Sequence, residues 1–182
     1  MKFYKSKVID VSKEVMEHYN AQVGKKKGRV SEKDTDKWLE KQLCKLAFND
    51  GIHEVDIQEP DKSDDIKKDI DVIVNGKNIQ VKCRKRKAIY LEEYKTRKWR
   101  QNPGWTRRSK ADLYLFVYPK TFTSLECFLF THKTILGILE DLDSEIPKRD
   151  VLTKWGLLEA IKHEEVVSEN GDGEGCYWEV LF

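Results

Sequence analysis

The sequence predicts an α/β protein, a mixed central β-sheet flanked by helices. Three observations carry that prediction. Ser31–Gly51 places Leu39, Leu43, Leu46 and Ala47 at helical spacing and stops at Asn-Asp-Gly. Asp69–Val74 and Asn78–Cys83 alternate apolar and polar residues about Asn75-Gly76, a dipeptide suited to the two positive φ angles of a tight hairpin turn. Ala111–Pro119 is a continuous apolar and aromatic run ended by proline, as expected of a central strand. The order of elements departs from the regular βα alternation of a doubly wound sheet.

Taken in order, Met1–Val11 alternates and reads as a strand, and Ser12–Val23 as a helix with Val15, Met16 and Tyr19 on one face. Gly24–Val30 is a basic loop, and Ser31 or Asp34 caps the long helix that follows. Ile52–Gln58 reads as a strand, then a polar loop leads into the hairpin. Lys87–Arg100 is expected to be a basic helix carrying Ile89, Tyr90, Tyr94 and Trp99, broken by Gln101–Trp105. Ser124–Phe130 follows the central strand as another strand. Thr131 should cap a helix reaching about Leu142, with Ile135, Leu136, Ile138 and Leu139 inside. Val151–Ile161 reads as a further helix and Cys176–Phe182 as a last strand, after an acidic glycine-rich turn.

At 182 residues and 39% hydrophobic, the chain can bury the core of one domain, read as residues 1–182. Within it, residues 1–30 form a basic extension, 31–131 the core and 132–182 an acidic end. The net charge of +2 conceals an uneven distribution. Twelve lysines and arginines crowd Lys82–Lys110 against Glu92 and Glu93 alone, while acidic residues dominate from Glu140 onward. A basic middle points to a polyanion partner. Cys44, Cys83, Cys127 and Cys176 form no CxxC pair, which argues against structural zinc and a disulfide framework. No apolar run approaches the length of a membrane helix, so a soluble, cytoplasmic protein is expected. His18, His53, His132 and His163 show no metal-ligand spacing, and there is no phosphate-binding glycine loop.

Gln80 and Lys82, two apart on the second arm of the hairpin, share a face. One register brings Asp71 of the first arm onto that face. A carboxylate, an amide oxygen and an ammonium then converge, a combination suited to phosphodiester hydrolysis. Hard oxygens hold Mg²⁺, while a lysine orients water and offsets charge developing on phosphorus. Asp69 shares a face with Asp71. The plainer alternative is that Asp71 fixes the hairpin register and that Gln-Val-Lys is an ordinary strand with its polar residues outward.

The pattern "IDV…IQVK", with Asp71, Gln80 and Lys82, resembles the core of the PD-(D/E)XK nuclease superfamily, the restriction-endonuclease-like fold. The resemblance covers roughly residues 31–130. It implies an αβββαβ core, an endonuclease using Mg²⁺ with Mn²⁺ as a substitute, and a further acid on the preceding helix, matched by Glu40, with Glu32, Asp34 and Asp36 as nearby alternatives. Metal ligands would be Asp71, Gln80 and Glu40, with Lys82 catalytic. Gln80 stands where Asp or Glu is usual, as in some homing endonucleases. Its neutral amide offers a weaker ligand oxygen than a carboxylate.

Beyond Lys82, the basic run Arg84, Lys85, Arg86 and Lys87 is a candidate for contacts to the phosphates of double-stranded DNA. Arg97, Arg100, Arg107, Arg108 and Lys110 extend that set, while Trp99 and Trp105 are expected to pack inside. Ser109 and Lys110 also precede the central strand, where the resemblance implies substrate-facing positions. The expectation is an endonuclease acting as a sequence-specific homodimer. The rivals are a nuclease for branched or damaged DNA, and a non-catalytic nucleic-acid-binding protein on the same fold.

Overall fold

The computed structural model describes residues 4–24, 33–63, 69–94, 103–164 and 176–182. The basic loop after Gly24, Ser31, Arg97, Trp99, Arg100 and the acidic glycine-rich turn lie outside the described residues. The chain is α/β, with mixed sheet and helices, and divides into two compact units, each assembled from separated segments. One comprises Tyr4–Arg86 and Lys110–Phe130, the other Lys87–Ser109 and Thr131–Phe182.

The first unit holds β1 (Lys5–Asp10), α1 (Lys13–Gly24), α2 (Lys33–Phe48), β2 (Ile57–Gln58), β3 (Val72–Val74), β4 (Lys77–Cys83), β6 (Leu113–Pro119) and β7 (Ser124–Thr131). Its sheet runs β1-β7-β6-β4-β3-β2. Neighbours β4 and β6 are parallel, whereas β1–β7, β2–β3 and β3–β4 are antiparallel, which makes the sheet mixed. The hairpin turn forms as expected, with Asn75 and Gly76 at φ of 49° and 75° and Val72 facing Ile79. Of the expected Asp69–Val74 strand only Val72–Val74 is extended, because Asp69 is left-handed and Asp71 stands just outside the ladder. β6 is central. Only Ile57–Gln58 of the expected Ile52–Gln58 strand is extended. Before it, the Asp50 carboxylate accepts the Ile52 and His53 N–H groups in a local turn. Asp34 falls inside α2 and so is not its cap.

One face of this sheet makes the core. Val72, Val74, Ile79, Val81, Leu115, Val117, Leu125 and Cys127 pack with Val15, Met16 and Tyr19 of α1 and Leu39, Leu43 and Cys44 of α2. Alternation then sends Gln80 and Lys82 to the opposite face, in register with Tyr114 and Phe116 of β6. That face is also buried: Tyr114, Phe116, Tyr118, Phe128 and Phe130 are each 2% exposed or less, and Phe116 meets Phe130 edge to face.

The second unit holds β5 (Ala88–Tyr94), α3 (Trp105–Arg108), α4 (His132–Leu142), α5 (Lys148–Trp155), β8 (Glu159–Glu164) and β9 (Cys176–Leu181). Two expected helices are corrected here. Residues 88–94 are not helical; they form β5, with Ala88, Ile89 and Leu91 buried and Tyr90 facing Glu179 of β9. Residues 159–161 belong to β8 and pair with the other edge of β9. The helix before β8 stops at Trp155 because Gly156 closes it in the left-handed conformation, φ 61°. The sheet order β5-β9-β8 is antiparallel throughout. α4 forms as expected, with Thr131 Oγ1 accepting the Thr134 N–H at 3.1 Å. Ile135, Ile138 and Leu139 are buried, but Leu136 is only half-buried. Between β4 and its parallel neighbour β6, the described residues form β5 and the single turn of α3; residues 95–100 of the expected helix lie outside the described residues.

Candidate active site

The hairpin sets the geometry of the candidate site. The Asp71 N–H donates to Ile79 O at 2.9 Å, just before β3 begins, and its carboxylate Oδ2 accepts the Val81 N–H at 2.7 Å. A side-chain oxygen thus takes the place of the next backbone acceptor where the first arm leaves the sheet. The register role raised from sequence is therefore filled, and it fixes the carboxylate against β4 between Gln80 and Lys82 in sequence. Asp69, two residues earlier, sits in the left-handed region at φ 53°, which an Asp tolerates better than most residues.

Gln80 is 3% exposed, and its Oε1 is buried without a hydrogen-bond partner. An amide oxygen in that state carries a desolvation cost of about 1–3 kcal/mol. Lys82 is half-buried as a residue, but its ammonium is desolvated, which pushes its pKa below the ordinary 10.5. The Asp71 carboxylate is the largest charge acting against that shift. Arg84 adds to the depression, whereas Asp69 and Glu40 oppose it.

Glu40 reaches this group from α2, on the other face of the sheet. After burial, its charge is the main cause raising the Cys83 and Cys44 thiols, and Asp71 contributes to both. Cys127 is pushed up to about 12, mainly by burial. All four cysteines are free thiols. The charges felt at the Lys82 ammonium are thus those of Asp71, Arg84, Asp69 and Glu40, in that order. The oxygens suited to a hard cation on this face are those of Asp71 and Gln80, and the unpartnered Gln80 oxygen fits that role; Glu40, the third expected ligand, comes from α2 on the other face and is not brought together with them. Among the described residues, no three His, Cys, Asp or Glu side chains gather as a cation site.

Tyr19, expected only as a core residue, does more. Its hydroxyl donates to Arg84 O at 2.6 Å and lies 3.3 Å from Val117 O, while the Arg84 N–H donates to Val117 O at 3.0 Å. Burial raises the phenol above its usual pKa, so it remains a donor. The residue ties down the end of β4 just beyond Lys82. Its sequence signal was a hydroxyl on a buried helical face, which needs a partner.

The basic candidates separate. Arg84 is half-buried, with Nη1 donating to Cys83 O at 3.1 Å, and Lys85, Arg86 and Lys87 are exposed in the bend that follows. Lys110 is exposed and belongs to the same unit as the site. Arg107 and Arg108 belong to the other unit, where Arg107 pairs with Asp143 at 3.2 Å. Ser109 is buried, with its N–H on Trp105 O. Trp105 donates its backbone N–H to Glu92. His53 contacts Asp50 and His163 contacts Glu179, while His18 lies against Trp38. No helix among the described residues is long and apolar enough to cross a membrane. Comparison with family models, with curated proteins and with solved structures finds no match.

Proposed function

We propose that the chain is a metal-dependent endonuclease that hydrolyses DNA phosphodiester bonds on a restriction-endonuclease-like core. The observation that carries this reading is the desolvated Lys82 ammonium set among Asp71, Asp69 and Glu40, beside a buried Gln80 oxygen that accepts nothing. In such a core, α2, β2, β3 and β4 answer to the αβββ half and β6 to the second parallel strand.

Asp71 and Gln80 would hold Mg²⁺ or Mn²⁺, which would supply Lewis acidity toward a phosphate oxygen when bound, while Glu40 would add its charge from α2. Lys82 orients the attacking water and offsets the charge that develops on phosphorus. The neighbouring carboxylates hold its ammonium in place. Tyr19 fixes the strand end from which the basic run departs. Arg84, Lys85 and Arg86 then neutralise backbone phosphates, so binding weakens steeply with salt. One site cuts one strand, and a double-strand break by a homodimer would use two.

Nicking of supercoiled plasmid in Mg²⁺ or Mn²⁺ tests the reading. Wild type should nick, and Lys82→Ala should slow nicking about 100-fold or more. Equal rates would overturn the role given to Lys82. A second reading has its own support: a neutral Gln80 and the lack, among the described residues, of three gathered acidic, histidine or cysteine ligands suit a non-catalytic DNA-binding protein. Metal-independent binding with no nicking in either metal would favour it.

A further inference from the structure

We propose that Phe122 is a base-stacking finger, so that the preferred substrate is nucleic acid with an unpaired or unstacked base. The proposal rests on the nucleic-acid reading above and narrows its substrate class. Phe122 is 97% exposed at the tip between β6 and β7. A single exposed apolar residue ordinarily needs no explanation; what sets this one apart is how it is held and where.

The loop that carries it is built, not slack. The Lys120 and Thr121 N–H groups both donate to Ser124 O at 3.1 Å, and the Thr121 and Ser124 hydroxyls share a hydrogen bond of 2.6 Å. The Thr123 N–H donates to Thr121 Oγ1, and Thr123 O accepts the Val11 N–H at 2.9 Å, tying the tip to the end of β1. These bonds account for both neighbours of Phe122 and leave its ring in water. A loop already held in this way loses little backbone freedom when the ring it carries stacks.

The position supplies the partner. β4 and β6 are parallel and end together, Cys83 facing Val117, with the Arg84 N–H on Val117 O. The basic run Arg84–Arg86 therefore leaves the sheet at the same end to which β6 carries Lys120 and Phe122. Cations for a phosphate backbone and an exposed aromatic ring at one end of a sheet are the two components of single-strand recognition. Aromatic residues can equally insert at an opened base step.

Fluorescence anisotropy in EDTA, where metal-dependent cleavage is off, tests this with three labelled oligonucleotides: single strand, paired duplex, and duplex with one bulged base. Phe122→Ala should weaken binding to the single strand and the bulge about 5- to 100-fold. The ratio of bulge to duplex affinity should fall toward one. Phe122→Trp should restore it and Phe122→Leu should not, which separates stacking from simple apolar contact. Unchanged thermal midpoints would show that the variants fold. An unaltered ratio in Phe122→Ala, or full affinity in Phe122→Leu, overturns the finger. The Arg84→Ala/Arg86→Ala variant separates the two levels. If it weakens all three substrates while Phe122→Ala changes none, the finger alone fails. If wild type binds none of them, the nucleic-acid reading fails and the finger with it.

Discussion

Two strands, one in each unit, carry a buried polar side chain at the middle, and the two are treated in opposite ways. In β9, Glu179 is 8% exposed. Its Oε2 lies 3.1 Å from His163 Nε2, and its Oε1 accepts from the Tyr90 hydroxyl at 3.4 Å. In β4, Gln80 is 3% exposed and its oxygen accepts from nothing. The carboxylate sits in a network that joins all three strands of its sheet. The amide sits beside Asp71 and Lys82 with its acceptor unused. Buried polar groups in a folded chain are ordinarily paired, so the paired one reads as architecture, while the unpaired one, a state that Gln22 and Thr106 share, fits the proposed site through its place next to Lys82 on the strand.

Substitution should pull the two apart. The largest effect is expected from Glu179→Leu, which removes the acceptor from Tyr90 and His163 and should cost about 2 kcal/mol in urea denaturation. A loss below a few tenths of a kcal/mol would show that the network holds nothing together. Tyr19→Phe comes next. It deprives Arg84 O of a buried donor and should cost about 1 kcal/mol; plasmid nicking should fall with it if the strand end must be held. Gln80→Leu should be neutral or stabilising by up to about 1 kcal/mol, because it discards an unpartnered polar atom, yet it should reduce nicking. A marked destabilisation by Gln80→Leu would place Gln80 with Glu179 and break the contrast.

The smallest effect concerns pH. Lys82 is held below 10.5 in the folded chain, so between its folded pKa and 10.5 the unfolded chain binds more protons. Stability contributed by this group therefore rises with pH through that window. The raised thiols of Cys44, Cys83 and Cys127 pull the other way, so the test is the difference: the slope of the urea midpoint against pH should be less positive in Lys82→Met than in wild type. A slope indifferent to the substitution would mean that Lys82 is not desolvated.

The hairpin was legible because its turn is local chemistry: Asn75-Gly76 fixes two φ angles, and the alternation on either side fixes which residues share a face. The Thr131 cap and the apolar run of β6 were legible for the same reason. Both missed strands, by contrast, border β9. "AIYLEEY" and "EAIKHE" contain enough helix-forming residues to read as helix on their own, and neither becomes a strand without Cys176–Leu181 beside it. Pairing distant in sequence overrode local preference. In the candidate site, Asp71, Gln80 and Lys82 could be named from spacing. The Val81 N–H on Asp71, the unpartnered Gln80 oxygen and the Tyr19 clamp depend on contacts that spacing does not encode.

The place of β9 has a consequence for how the chain acquires its structure. It is the middle strand of its sheet and follows both of its neighbours in sequence. During synthesis, β5 emerges early and β8 later, and each must wait for the same stretch before its backbone groups on that side are satisfied. Throughout that interval Ile89, Leu91 and Ala160, all fully buried at the end, have no sheet to enter. The smaller sheet is therefore completed only once β9 is seated between two waiting edges. Until then those edges are open to pairing with another chain, so this sheet is where misassembly of a nascent or truncated chain should begin.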